Sequence, residues 1–196
     1  MKDKEMSNQE FNTIFLVDSS QSEQINKAIN NTINRLNLLL TNNNQINYLK
    51  QSNLCLAFFE LNKILRKESQ GGQMPDFGGV IPLILLIIDR DCSNGKYIDE
   101  LRLLKNKPWF KVALKYCIII EANNLHNIKD LRDFVSSNGE FVRTNNIDLL
   151  ESIIETIIIT ALKSELISDI TDNQKYINVI YSIRQEVSEA LELIDE

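Results

Sequence analysis

The chain has 196 residues, of which 43% are hydrophobic and 24% are charged, the balance of an ordinary soluble globular domain. That composition excludes collagen-like, mucin-like and wholly disordered chains. It has 21 Lys and Arg residues and 27 Asp and Glu residues, so the net charge is −6. Because nucleic acids and anionic membranes need a basic surface, we expect neither as a partner.

Cysteine usage and the amino-terminal residues predict a cytoplasmic protein. Cys55, Cys92 and Cys117 form neither a CxxC pair nor an even set, which is typical of free thiols in a reducing compartment. Residues 1–10 form a polar tail without the apolar centre of a signal peptide. The longest apolar run, residues 80–88, is too short to span a bilayer.

Hydrophobic periodicity predicts strands that alternate with helices along the chain. In chain order we predict strand 13–17, helix 22–40, helix 54–66, strand 80–88, helix 97–104, strand 116–120, helix 129–136, strand 140–143, helix 147–167 and helix 173–194. This alternation indicates an α/β fold, a three-layer Rossmann-like sandwich with a mostly parallel central sheet. We divide the chain into the tail 1–10, a domain over 11–168 and a helical extension over 169–196.

One edge of the sheet is expected to be abbreviated. Few residues separate the first two predicted helices, and at most Ile46 to Leu49 forms a stunted strand there. The first strand, residues 13–17, would then lie close to an exposed edge of the sheet. An uncovered edge of this kind invites pairing with another chain.

Carboxyl and hydroxyl side chains follow two of the predicted strands. Asp18 and Asp89 each come directly after a strand, and Ser20 and Ser22 lie just beyond Asp18. Ligands of open parallel sheets bind beyond the carboxyl ends of the strands, where the strand order reverses. Carboxylate and hydroxyl oxygens are hard ligands that suit a small cation such as Mg²⁺. These residues therefore predict a cation site at that edge.

The same residues resemble the von Willebrand factor A domain with its metal-ion-dependent adhesion site. The family pattern begins with a strand and Asp-x-Ser-x-Ser, here Asp18-Ser-Ser20-Gln-Ser22. A hydroxyl residue that opens a second helix follows, matched here by Ser52, and then a strand that ends in aspartate, matched by Asp89. The resemblance covers residues 11–167. Residues 117–162 are similar to intracellular bacterial members associated with tellurite resistance.

This resemblance implies a non-enzymatic module for protein–protein interaction, assisted by a weakly bound Mg²⁺ or Mn²⁺ ion. It assigns five ligands to the ion: Asp18, Ser20, Ser22, Ser52 and Asp89. An open coordination position would take a carboxylate of the partner. The chain departs from the family at Ser52, where the family has Thr, and at Arg90, where it has Gly. The family also has two further strands before the position of Ser52.

Three alternatives stay open at the level of the sequence. Ser20 with Glu23 fits a capping box at the start of a helix, which is compatible with metal binding. A degenerate A domain would serve as an assembly scaffold without metal. Asp89 and Asp91 match the start of the haloacid-dehalogenase-like phosphotransferase motif, in which the first aspartate is the nucleophile and the second a general acid. The hydroxyl residue and the acidic pair that this family also needs are missing, so we predict no catalytic residues.

The last predicted helix favours self-association. Its apolar residues alternate spacings of four and three, at Tyr176, Ile180, Ile183, Val187, Ala190 and Ile194. Docking of this helix on the chain's own domain is the competing interpretation. We predict a homodimer that uses this helix, the abbreviated sheet edge, or both.

Overall fold

A computed structural model describes residues 12–18, 23–39, 45–51, 53–77, 79–89, 97–120, 131–135, 139–163, 181–182 and 185–189. In chain order its strands and α-helices are β1 (Asn12–Asp18), α1 (Glu23–Leu39), β2 (Gln45–Gln51), α2 (Leu54–Ile64), β3 (Leu83–Ile88), α3 (Tyr97–Lys105), α4 (Pro108–Val112), β4 (Leu114–Ile120), α5 (Arg132–Val135), β5 (Gly139–Thr144) and α6 (Leu150–Lys163). Short 3₁₀ helices cover Glu68–Gln70 and Ile147–Leu149.

The five strands form one sheet in the order β2-β1-β3-β4-β5, and every neighbouring pair is parallel. The predicted α/β sandwich with a parallel central sheet is therefore confirmed. This order is the flavodoxin-like variant of the doubly wound sheet, in which the direction of winding reverses between β1 and β3.

Helices cover both faces of the sheet and create two hydrophobic cores. Phe15 and Val17 of β1 face the core that includes apolar residues of α1 and α6. Ile14 and Leu16, which alternate with them, face the core that includes residues of α2, α3, α4 and α5. Because successive side chains of a strand point to opposite faces, a strand covered on both sides carries a near-continuous apolar run. This explains the continuous apolar runs of β1, β3 and β4.

The expectation of a stunted strand after the first helix is wrong. β2 has seven residues, and each of them pairs with a residue of β1, from Gln45 with Asn12 to Gln51 with Asp18. β1 is consequently paired on both sides, and β2 forms the edge instead. Ile46 and Tyr48 of β2 pack against the core on the α1 side, and the Tyr48 hydroxyl donates to Asn26 Oδ1 at 3.2 Å.

The carboxyl-terminal extension is described only at residues 181–182 and 185–189, and residues 164–180 lie outside the described part of the chain. Val187 is fully buried and belongs to the core on the α1 and α6 side. At this position the extension therefore packs on the chain's own domain. The predicted homodimer stays a prediction. None of the helices that the structure describes is both long and apolar enough to cross a bilayer.

One lysine is buried inside the fold. Lys115 of β4 has no exposed surface, and its Nζ donates to the backbone oxygens of Phe110 and Ala113, each at 2.9 Å. The same atom lies 4.9 Å from the centre of the Phe110 ring. Because burial disfavours the charged form, it lowers the pKa of the Lys115 ammonium from 10.5 to about 8.

Candidate functional site at the carboxyl edge of the sheet

The two predicted aspartates lie on neighbouring strands at the carboxyl edge of the sheet. Asp18 is the last residue of β1 and pairs with Ile88, the last residue of β3. Asp89 comes directly after Ile88. Neighbouring strands lie about 4.8 Å apart, so the backbones of the two aspartates meet at one place. That place is the switch point between β1 and β3, where doubly wound sheets of this order bind their ligands.

The two carboxylates differ in exposure. Asp18 is only 3% exposed, whereas Asp89 is half-buried. Asp18 continues the alternation of Ile14 and Leu16, which places it on the side of the sheet covered by α2 and α3. A carboxylate this deeply buried is stable only where a cation or hydrogen-bond donors compensate its charge. The edge therefore has an inner and an outer carboxylate.

The three serines of the predicted site lie outside the described residues. Ser20 and Ser22 belong to residues 19–22, which connect β1 to α1, and Ser52 connects β2 to α2. Both connections leave the sheet at the edge that carries Asp18, since β2 and β1 are parallel neighbours. The structure thus brings the backbones of Asp18 and Asp89 to the same edge of the sheet and leaves the positions of the three hydroxyls open. Arg90 and Asp91 also lie outside the described residues.

The start of α2 shows which residue caps that helix. Asn53 is its N-cap residue, and Asn53 Oδ1 accepts a hydrogen bond from the backbone N–H of Leu56 at 3.0 Å. The capping role that a hydroxyl residue could have filled here belongs to Asn53. The proposed capping box of Ser20 and Glu23 at the start of α1 stays a prediction.

Two further polar residues lie at this edge that were not predicted from the sequence. Gln51 ends β2 beside Asp18, and no signal revealed it because β2 itself was underestimated. Thr144 ends β5 and is 6% exposed, and its hydroxyl could have been found because it directly follows the predicted strand 140–143. The Thr144 hydroxyl donates to the backbone oxygen of Asn146 and accepts from the backbone N–H of the same residue, at 3.0 Å each. It therefore holds the turn after β5.

The donor set fits a small hard cation that keeps much of its water. Mg²⁺ is usually held by one or two carboxylates together with several waters, and this edge offers two carboxylates. Among the described residues, no group of three or more His, Cys, Asp or Glu residues could hold a metal ion. A site here would therefore depend on Asp18, Asp89 and uncharged oxygen donors.

Comparisons of the chain with family models, with curated proteins and with solved structures gave no match. The fold and the site together define the class, a doubly wound parallel α/β protein with two carboxylates at its switch point.

Proposed function

We propose that the protein is a cytoplasmic, divalent-cation-assisted module for protein–protein interaction that resembles a von Willebrand factor A domain. The observation that supports this proposal is that the backbones of Asp18 and Asp89 meet at the switch point of the sheet. The sheet order supports a ligand at this edge independently of the sequence resemblance, because the order alone defines the switch point. By the resemblance, the module belongs to a stress response of the metal- or tellurite-resistance type.

The two carboxylates would have different tasks. Asp18, which is almost fully buried, would anchor a Mg²⁺ or Mn²⁺ ion from the inside of the edge. Asp89, which is half-buried, would contact the ion from the solvent side. Ser20, Ser22 and Ser52 would supply neutral oxygens, so that the site keeps a low negative charge. A bound cation of this kind would attract a carboxylate from the partner protein to its open position.

Calorimetric titration with Mg²⁺ and Mn²⁺ tests the cation site. The unaltered chain should bind one ion weakly, and Asp89→Asn should weaken binding by roughly tenfold or more, because affinity follows the number of charged ligands. Asp148→Asn is the matched control, since Asp148 is an exposed acid beyond the end of β5 and outside the predicted ligand set. It should bind the ion like the unaltered chain.

Asp18→Asn and the double change Ser20→Ala with Ser22→Ala complete the series. Each should reduce ion binding while circular dichroism stays that of a folded α/β protein. If saturating metal changes neither the calorimetric trace nor the melting temperature of the unaltered chain, the cation site is refuted. The scaffold without metal then becomes the better interpretation.

A second candidate function is phosphoryl transfer to Asp89. The observation in its favour is the difference in exposure: a half-buried carboxylate at a strand end is accessible to a substrate, and a buried acid lies beside it. A carboxylate in such a place can act as a nucleophile towards phosphorus. Asp91, the second acid of that motif, lies outside the described residues.

A further inference from the structure

The connection between α2 and β3 is a loop that its own backbone hydrogen bonds hold in shape. The N–H of Glu68 donates to the oxygen of Met74 at 2.7 Å, and the N–H of Met74 donates to the oxygen of Arg66 at 3.0 Å. Gly71 turns the chain with a φ of 76°, which favours glycine. Met74 is 1% exposed and anchors the loop in the core on the α2 side.

This ordered loop presents one aromatic ring to solvent. Phe77 is 92% exposed, the largest exposure among the large hydrophobic residues that the structure describes. The Nζ atom of Lys67 lies 5.4 Å from the centre of the Phe77 ring, and Lys67 forms no salt bridge with a carboxylate of the described residues. We call Phe77 together with Lys67 the knob. It combines an apolar ring with a positively charged side chain.

A cleft of complementary character lies between α1 and the start of α6. Its volume is about 280 Å³, and it is lined by Gln24, Lys27, Ala28, Asn31, Ile147, Asp148 and Glu151. Ala28 is buried and Ile147 half-buried, which gives the cleft an apolar part. A cavity of about 150 Å³ already holds a benzene molecule, so a phenyl ring fits this volume.

The rim of the cleft carries an exposed carboxylate. Glu151 accepts a hydrogen bond from Asn31 at 2.7 Å and lies 3.4 Å from Arg35, so its charge is partly neutralised. Asp148 is exposed and forms no salt bridge with a residue of the described chain. Lys27 is the single cation of the lining, and Asp148 is the carboxylate of the lining that has no salt-bridge partner among the described residues.

The knob and the cleft lie at opposite ends of the domain. The knob precedes β3 and therefore lies at the amino edge of the sheet, whereas α1 and residues 147–149 follow strands and begin at the carboxyl edge. A strand of six residues is about 20 Å long, so the knob cannot reach the cleft of its own chain. A second copy of the chain, however, has a cleft that the knob can reach and a knob that can reach the cleft of another copy.

We propose that copies of this chain associate head to tail, with Phe77 of one copy in the cleft of the next. The ring packs on Ala28 and Ile147, and the Lys67 ammonium pairs with the Asp148 carboxylate at the rim. Because the two surfaces differ and lie at opposite ends, the contact is heterologous, and it generates either a closed ring or an open chain of copies. The assembly is therefore larger than a dimer and differs from the homodimer that the sequence predicts. It does not depend on the proposed cation site.

Light scattering after gel filtration of the full chain tests this association. The mass should rise with protein concentration above the 22.6 kDa of the monomer and should pass beyond that of a dimer. Phe77→Ala removes the knob and Asp148→Lys disables the cleft, and each variant should remain a monomer. Both altered side chains are exposed, so circular dichroism should show an unchanged fold.

Mixing the two variants gives the decisive result. Phe77→Ala retains an intact cleft and Asp148→Lys retains an intact knob, so the equimolar mixture should form a dimer and nothing larger. Leu103→Ala is the matched control, because Leu103 is another exposed hydrophobic residue, at 53%, outside both surfaces. This variant should associate like the unaltered chain.

Exchanging the charges of Lys67 and Asp148 tests the ionic part of the contact separately from the packing of the ring. Lys67→Glu alone should abolish association, and Lys67→Glu combined with Asp148→Lys in one chain should restore it. The proposal is overturned if the unaltered chain stays a monomer at all concentrations, if Phe77→Ala still associates, or if the mixture of variants yields no dimer. Association that stops at a dimer would also overturn it, in favour of a closed two-fold contact.

Discussion

Burial of Lys115 should make the stability of this protein rise as the pH is raised from neutral. The pKa of the ammonium is about 8 in the folded chain and 10.5 in the unfolded chain, so the unfolded chain binds more protons between these values. The free energy of unfolding increases with pH wherever the unfolded state binds more protons. The contribution of Lys115 is therefore a destabilisation that is complete below pH 8 and disappears towards pH 10.5.

The magnitude follows from the difference between the two pKa values. One pKa unit corresponds to about 1.4 kcal/mol, so a lysine charged and buried in this way destabilises the fold by about 3 kcal/mol at neutral pH. Between pH 7 and 9.5 about 2 kcal/mol of this destabilisation should be relieved. In Lys115→Met the charge is absent, but the oxygens of Phe110 and Ala113 lose their donor, at a cost of about 1–3 kcal/mol each.

These opposing effects make the pH dependence more informative than the stability at a single pH. Urea unfolding of the unaltered chain and of Lys115→Met should be measured at several values between pH 7 and 9.5. Relative to the variant, the unaltered chain should gain about 2 kcal/mol over this range, because the other titrating groups cancel in the difference. Lys50→Met, which alters an exposed lysine of β2 and keeps Lys115, is the control and should follow the pH dependence of the unaltered chain. Parallel curves for the unaltered chain and Lys115→Met would refute the reasoning.

Two further predictions concern Asp89 and the cap of α2. Incubation with acetyl phosphate and Mg²⁺ should leave the intact mass of the chain unchanged. Asp89→Asn should hydrolyse generic phosphoesters at the same rate as the unaltered chain. A mass gain of one phosphoryl group that Asp89→Asn abolishes would establish the phosphotransferase interpretation. Asn53→Ala should lower the free energy of unfolding by about 1 kcal/mol, because the N–H of Leu56 loses its acceptor. Asn30→Ala, on an exposed surface of α1, is its control in urea unfolding and should not lower the free energy of unfolding, because Ala is the better helix former.

The interior of the sheet could be predicted because burial on both faces requires a near-continuous run of apolar residues in the sequence. β1, β3 and β4 are covered on both faces, so every residue from Leu83 to Ile88 is apolar and fully buried. A strand of this kind contrasts with the three- and four-residue spacing of the helices around it. The alternation of the two patterns was enough to give the fold class.

The edge of the sheet could not be predicted in the same way. β2 carries Gln45, Asn47, Lys50 and Gln51 among its seven residues, because an edge strand is only partly covered. Asparagine and glutamine are uncommon in strands, and here the pairing with β1 overrides that preference. The five-residue helix α4 was also missed, since a helix of little more than one turn has no periodicity to detect.

The residues of the candidate site also differ in how well the sequence predicts them. Asp18 and Asp89 could be named because each ends a buried strand, and strand ends can be located from hydrophobicity. The serines lie in connections, where the sequence fixes which residues are present but not how their hydroxyls are directed. Gln51 could be placed beside Asp18 only once the extent of β2 was known.

The underestimated strand is also what makes the carboxyl edge a candidate site. Without β2, β1 would be the outermost strand, and Asp18 would lie at the rim of the sheet. With β2 in place, Asp18 ends an interior strand, is 3% exposed and lies between Gln51 and Ile88. The chain must then cross from β2 over β1 to reach β3, and this crossing creates the switch point at which Asp89 meets Asp18. A sheet that began at β1 would hold the same two aspartates, but it would have no reversal of strand order beside them.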